Sequence, residues 1–196
     1  MSTLSLAAGR PTLADRLISR SILTDILLVA GGAAFVGLLA QVAIPLWPVP
    51  ITGQTLAVLL VGSTLGALRG VIAMAVYAVV GIAGVPWFSD ASAGWQVVAG
   101  PTGGYIIGFI VAAGLTGWLA QRNWDRKVLG AFASFTAGTV ITFAVGLPWL
   151  AASLGLTLEQ TLQAGLYPFI LGGVIKALLA AGIIPLAWKL TSRPKA

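Results

Sequence analysis

Six stretches of this chain run long, apolar and nearly free of charge. They cover residues 22–45, 53–68, 70–86, 101–121, 128–153 and 167–189, and apart from Lys189 at the final boundary their only charged residues are Asp25 and Lys176. Hydrocarbon offers backbone N–H and C=O groups no water, so segments of this kind must satisfy those groups internally, as helices do. The pattern predicts an all-α integral membrane protein with six transmembrane helices. Composition points the same way: 58% of the 196 residues are hydrophobic and 8% charged, where soluble domains carry roughly 25% charged residues. The second and third stretches are short for an upright crossing of about 20 residues. Ala67-Leu68-Arg69-Gly70 between them reads as a tight turn.

Six crossings place both termini on one side. That side collects Arg10, Arg16, Arg20, Arg69, Arg122, Arg126, Lys127, Lys189, Arg193 and Lys195, while the other receives Asp90 and Glu159. The positive-inside rule then makes both termini cytoplasmic. The organisation read from this is a cytoplasmic N-terminal segment 1–21, a membrane domain 22–190 and a cytoplasmic tail 191–196. Arg10, Arg16 and Arg20 ahead of an apolar run also suit a signal peptide, but Asp25 interrupts that run, which continues to Leu46. An uncleaved first span is expected instead. Asp125, within Gln121-Arg122-Asn123-Trp124-Asp125-Arg126-Lys127, reads as part of a solvated inner loop, and Trp118, Trp124 and Trp188 as anchors at the inner interface. The net charge of +6 is scattered over span ends, which argues against nucleic acid as a partner.

Catalysis has little to work with. The chain has no cysteine and no histidine, so thiolate metal sites and Ser-His or Cys-His pairs are excluded. The five acidic residues show no paired spacing, and no phosphate-binding G-x-x-x-x-G-K-[ST] run occurs. Neither an enzyme, a resident cofactor nor a metal is expected. No span carries a polar face able to line a water pore, which disfavours a channel.

The outer connections are richer. Pro45-Leu46-Trp47-Pro48-Val49-Pro50-Ile51-Thr52-Gly53-Gln54-Thr55 is stiff and ends polar. Residues 85–96 hold Trp87, Phe88, Asp90 and Trp95, and Gly100-Pro101-Thr102-Gly103-Gly104-Tyr105 opens the fourth span. Aromatic walls with a few polar groups are how small-ligand pockets are built. Lys176 is the anomaly, because a lysine at the centre of a membrane helix costs about 2.5–3.5 kcal/mol on insertion scales. Pro168 and Gly172-Gly173 predict a helix that breaks or restarts near Gly172 and turns Lys176 toward an outer cavity, the alternative being that its long side chain snorkels to the outer headgroups. On the first span, Ala30/Ala34 and Ala33/Gly37 keep the small-residue spacing that lets helices approach closely, within the monomer or against another membrane protein.

The runs Pro48-Val49-Pro50-Ile51-Thr52-Gly53-Gln54-Thr55-Leu56 and Gly100-Pro101-Thr102-Gly103-Gly104-Tyr105, together with Pro168-Phe169 and Lys176, resemble the BioY family of biotin-specific S components of energy-coupling factor transporters. The likeness spans roughly 25–189. It implies a multi-pass protein of a prokaryotic plasma membrane. Such a protein binds biotin at its outer side and joins a transmembrane coupling protein and two cytoplasmic ATPase subunits. A solitary biotin facilitator, or an S component for another small vitamin, is the alternative. The resemblance implies Lys176, Asp90, Gln54, Trp87, Phe88, Thr102, Gly103, Tyr105 and Gly173 as the substrate-binding set. Asp90 and Lys176 are its charged members, and Trp87, Phe88 and Tyr105 its walls. It also implies docking through Ala30, Ala34, Ala33 and Gly37. One departure is visible: an aspartate common in the family three residues before the lysine is here Gly173.

Overall fold

The computed structural model describes residues 10–191. The expected tail 191–196, with Arg193 and Lys195, therefore lies almost wholly outside the described residues, as do residues 1–9 of the N-terminal segment. The described chain is mostly helical. Its helices are α1 (Leu13–Leu17), α2 (Ile22–Ala40), α3 (Gln54–Leu65), α4 (Ala67–Ile82), α5 (Trp95–Ala99), α6 (Gly103–Ala120), α7 (Val128–Leu154), α8 (Leu158–Gly165) and α9 (Tyr167–Thr191). A small antiparallel hairpin, β1 (Ala43–Ile44) and β2 (Ile51–Thr52), links α2 to α3 with Ala43 opposite Thr52.

Among the described residues, α2, α6, α7 and α9 are long and apolar enough to cross a membrane, while α3 and α4 are shorter apolar helices. The 12 residues of α3 reach only about 18 Å at 1.5 Å per residue. They are sheltered rather than stretched. Ala57, Val58, Leu59 and Val61 are buried, and α3 packs on α6, which is the most enclosed of the long helices. Small residues permit this approach. A Cβ at Gly62 would overlap Thr116 Oγ1 and lie 2.6 Å from the Ala113 carbonyl oxygen. The turn after α3 is a single residue, Gly66, at φ 90°. Only glycine adopts that conformation without strain.

Arg69 therefore lies inside α4, not in a polar turn, and is buried. Its Nε donates to Asp25 Oδ1 at 2.7 Å and its Nη1 to Asp15 Oδ1 at 2.7 Å. Arg20 Nη2 donates to Asp15 Oδ2 at 3.0 Å. The charge that interrupts the first apolar stretch is thus one half of a buried ion cluster that straps α1 and α2 to α4. Burial by itself would raise the Asp15 pKa, but the Thr12 backbone N–H, Arg20 and Arg69 outweigh it and hold the carboxyl below its ordinary value.

Asp125 is also buried rather than solvated. Trp188 Nε1 donates to its Oδ2 at 2.7 Å, and Trp188 is itself buried, with the Arg126 guanidinium 4.5 Å from its ring centroid. Trp188 is thus a packing residue and not an interface anchor. Burial raises the Asp125 pKa, and the Trp188 and Arg126 contacts only partly offset this. A raised carboxyl pKa means the native state holds its proton more tightly, so stability improves as pH falls through that value. Asp125→Asn keeps the acceptor and removes the charge. Its thermal midpoint at pH 7 is expected to equal or exceed that of the parent, with a flatter pH profile. Asp125→Ala leaves Trp188 Nε1 without its acceptor and is expected to lose about 1–3 kcal/mol. Thermal unfolding in detergent at pH 5 and pH 8 reads both.

The expected break near Gly172 is absent. Helix α9 runs unbroken from Tyr167 to Thr191, and the interruption falls at Leu166, where φ is −123° and ψ −58°. Pro168 sits in the first turn of α9, where a missing N–H goes unnoticed. The two stripes on α2 face opposite ways. Ala33 and Gly37 are buried, and Trp87 covers Gly37, whereas Ala30 and Ala34 are exposed. Ala33 and Gly37 are therefore occupied by packing within the chain and are not open for docking.

Candidate ligand site

A cavity lies at the end of the bundle that carries the hairpin. Val49, Pro50 and Thr52 of the hairpin, Gln54 and Thr55 at the start of α3, and Phe88 and Ser89 of the following connection form one side. Val97 of α5, Thr102, Tyr105, Ile106 and Phe109 around the start of α6, Phe143 of α7, and Phe169 and Lys176 of α9 form the other. Its space is tight, about 50 Å3. That is far below the roughly 300–1,000 Å3 of typical small-ligand pockets.

Lys176 lies about two and a half turns into α9 and turns into this wall. Its Nζ donates to the Thr52 carbonyl oxygen at 2.5 Å and to Thr55 Oγ1 at 3.0 Å. Among the described residues no carboxylate pairs with it. A polar chain continues from there. Thr52 Oγ1 donates to Gln54 Oε1 (2.8 Å), Gln54 Nε2 donates to the Tyr77 hydroxyl (2.6 Å), and Trp87 Nε1 donates to the Tyr77 carbonyl (2.9 Å). The polar floor is thus braced from behind before any ligand arrives, and Lys176 is the one charged group in it.

The loop side is pinned to α2. Gln41 Nε2 donates to the Phe88 carbonyl (3.0 Å), and Gln41 Oε1 accepts from the Ala91 N–H (3.0 Å). Phe88 is buried, edge-on to Tyr77 at 5.3 Å between ring centroids. Thr102 stands at the N-cap position of α6, and its Oγ1 donates backward to the Val97 carbonyl (3.1 Å) instead of capping the helix. Tyr105 gives its ring to the cavity and its hydroxyl to the Gly165 carbonyl (3.0 Å) at the end of α8.

Of the residues expected from sequence, Lys176, Gln54, Phe88, Thr102 and Tyr105 meet at the cavity. Trp87 stands one layer behind, against Tyr77 and Gly37. Three others lie elsewhere. Asp90 is exposed at a loop tip, with φ 56° beside Ala91 at φ 51°. Gly103 is buried against the Val98 carbonyl, where any side chain would overlap, so it serves helix packing rather than ligand approach. Gly173 faces a groove between α7 and α9, next to Thr139. Thr55 and Ser89 were not singled out from sequence, although Thr55 stands in the polar Thr-Gly-Gln-Thr run. Ile106, Phe109 and Phe143 carry no sequence signal, because they are apolar residues in apolar helices.

A helical bundle this apolar, with four helices among the described residues long enough to cross a membrane and a small, lysine-bearing cavity at one end, fits the class of multi-pass membrane proteins. Comparison with known proteins narrows the class. The chain matches the BioY family across residues 10–193 and belongs to it. It is 35% identical to "Biotin transporter BioY2" of Lactococcus lactis subsp. cremoris over 157 residues, 80% of this chain and 86% of that one. It is 37% identical to "Biotin transporter BioY" of Thermotoga maritima over 142 residues, 72% and 82% of the two chains. Among solved structures it resembles the S-component for biotin from an ECF-type ABC transporter, with a TM-score of 0.77 and 26% identity over 85% of this chain and 92% of that one.

Proposed function

We propose that this chain is the biotin-binding S component of an energy-coupling factor transporter, taking biotin from the outer side of a prokaryotic plasma membrane. The observation that carries the reading is Lys176: an ammonium in a mostly apolar cavity wall, hydrogen-bonded but with no carboxylate to neutralise it. Biotin brings a polar group at each end, a ureido ring with two N–H donors and one carbonyl oxygen and a carboxylate, with an apolar body between. Lys176 supplies the charged donor to one of these oxygen groups. Phe88, Tyr105, Ile106 and Phe109 enclose the body, and Thr52, Thr55 and Thr102 border it. Asp90 has no direct role in this arrangement.

In the membrane, α2, α3, α4, α6, α7 and α9 are the six crossings, with both termini cytoplasmic. The membrane domain is 22–190, flanked by the segments 1–21 and 191–196. The short α3 is acceptable there because protein, not lipid, surrounds it. The exposed Ala30/Ala34 face of α2 docks the transmembrane coupling protein, which carries two ATPase subunits below it. Transport in proteoliposomes with and without that module tests this assignment.

The ligand test is thermal stabilisation of the purified chain by biotin, thiamine, riboflavin and the neutral primary amide of biotin. Biotin at about 100 times its Kd is expected to add about 2.7 kcal/mol, and the other vitamins nothing. Absence of any rise with biotin would sink the reading. The amide distinguishes the two ends of biotin. Weakened binding of the amide that Lys176→Met erases places the ammonium at the carboxylate. Equal binding of acid and amide places it at the ureido oxygen.

A further inference from the structure

We propose that Phe143 and Phe169 form a partition that seals the ligand cavity from a lipid-side groove, and that this partition limits the apolar chain a ligand can carry. The ligand half of the proposal rests on the biotin reading above; the seal does not. Among the described residues, Phe143 and Phe169 alone border both spaces. On one side is the cavity of about 50 Å3 that holds Lys176. On the other is an apolar groove of about 400 Å3 between α7 and α9, with an exposed rim of Val140, Ile170 and Val174.

The wall is one ring thick. Phe143 and Phe169 meet at 5.9 Å between centroids and 65° between planes, and Phe143 meets Tyr105 edge-on at 5.8 Å. The row therefore crosses from α6 through α7 to α9. Phenyl rings make no hydrogen bonds of the kind that fix Tyr105, so packing alone holds these two in place. The groove reaches the rings because its flank on α9 is small. Gly173 has no side chain there, and a Cβ added to it would stand 3.7 Å from Thr139 Cγ2, an ordinary contact. Removing either ring joins the polar-floored site to a space open on the bundle's apolar exterior. Filling position 173 closes the groove from the other side.

The chain has no cysteine, so Ile106→Cys places a unique thiol in the cavity. In liposomes, a maleimide on a long alkyl chain, confined to the bilayer, is expected to label it slowly. Phe169→Ala is expected to speed labelling about ten-fold or more by opening the wall, and Gly173→Leu in that background to return it toward the parent rate. Phe143→Leu and Phe169→Val are milder truncations that carry the same test should Phe169→Ala fail to fold, as judged by thermal unfolding. Equal labelling rates in folded parent and truncated chains overturn the seal. In the ligand arm, the n-octyl amide of biotin is compared with its primary amide. The octyl amide is expected to bind the native chain about ten-fold or more weakly, and a truncated chain with that gap largely closed. An unchanged gap overturns the length limit. Failure of the native chain to bind biotin at all defeats the biotin reading, while the thiol arm still decides the partition.

Discussion

Lys176→Met is expected to lower biotin affinity about 10- to 100-fold, the equivalent of the roughly 1.5–3 kcal/mol of a charge-assisted hydrogen bond. Methionine keeps the length and apolar stem of lysine while deleting the only charge in the cavity wall. The ligand-free protein should tolerate the change, because Thr55 retains its hydroxyl and the half-buried ammonium, costly in apolar surroundings, is gone. The effect therefore separates from folding: the thermal midpoint without biotin stays near that of the parent, while calorimetric titration shows the loss. Lys176→Arg should not restore full affinity, since a planar guanidinium does not fit a space built around a compact ammonium. Undiminished affinity in a folded Lys176→Met chain removes Lys176 from the site.

The largest effect on stability is expected at Arg69. It is buried between Asp15 and Asp25, and Asp25 is wholly enclosed. Arg69→Met leaves two carboxylates without their shared cation, and breaking a buried pair from one side costs about 3–5 kcal/mol. Neutralising the partners as well, in the triple change Arg69→Met, Asp15→Asn, Asp25→Asn, should recover much of that loss, since the one charge then left in the cluster, Arg20, is partly open to solvent. Urea or thermal unfolding in detergent reads the series, and a single variant as stable as the parent would falsify the strut assigned to Arg69. The pH dependence has a definite sign. The Asp15 carboxyl is held below its ordinary value in the folded chain. Its stabilisation is therefore full above the unfolded carboxyl pKa of about 3.9 and fades as pH falls through the lower folded value. Titration of Asp15 adds no slope between pH 5 and pH 8.

Much of this was legible in the residues, and the misses share a cause. Apolar runs and the polar punctuation between them located the helices, because hydrocarbon leaves the backbone few choices. The Thr-Gly-Gln-Thr and Gly-Pro-Thr-Gly-Gly-Tyr runs led to the cavity because polar and small residues in such a chain are expensive unless used. Charges whose partners are distant in sequence carry no local sign of them. Asp25 and Arg69 are 44 positions apart and Asp125 and Trp188 are 63 apart, so each looked like an isolated polar residue. Gly172-Gly173 does not break α9, because a glycine inside a helix costs only about 1 kcal/mol relative to alanine and the apolar turns on both sides carry the helix through. Asp90 is the acid that stands within the aromatic loop in sequence. No pattern in sequence reveals that its loop turns it outward while Gln41 holds Phe88 and Ala91.

The bond from Lys176 to the hairpin carbonyl also sets where the ammonium waits. Lysine carries three donors, and among the described residues Thr52 and Thr55 take two of them. In the biotin reading above, the third meets the solute at the cavity wall. The long, flexible stem is already held by the chain itself, so the solute has little side-chain freedom left to remove as it docks. A site ordered in advance loses less freedom on binding than one its guest must assemble.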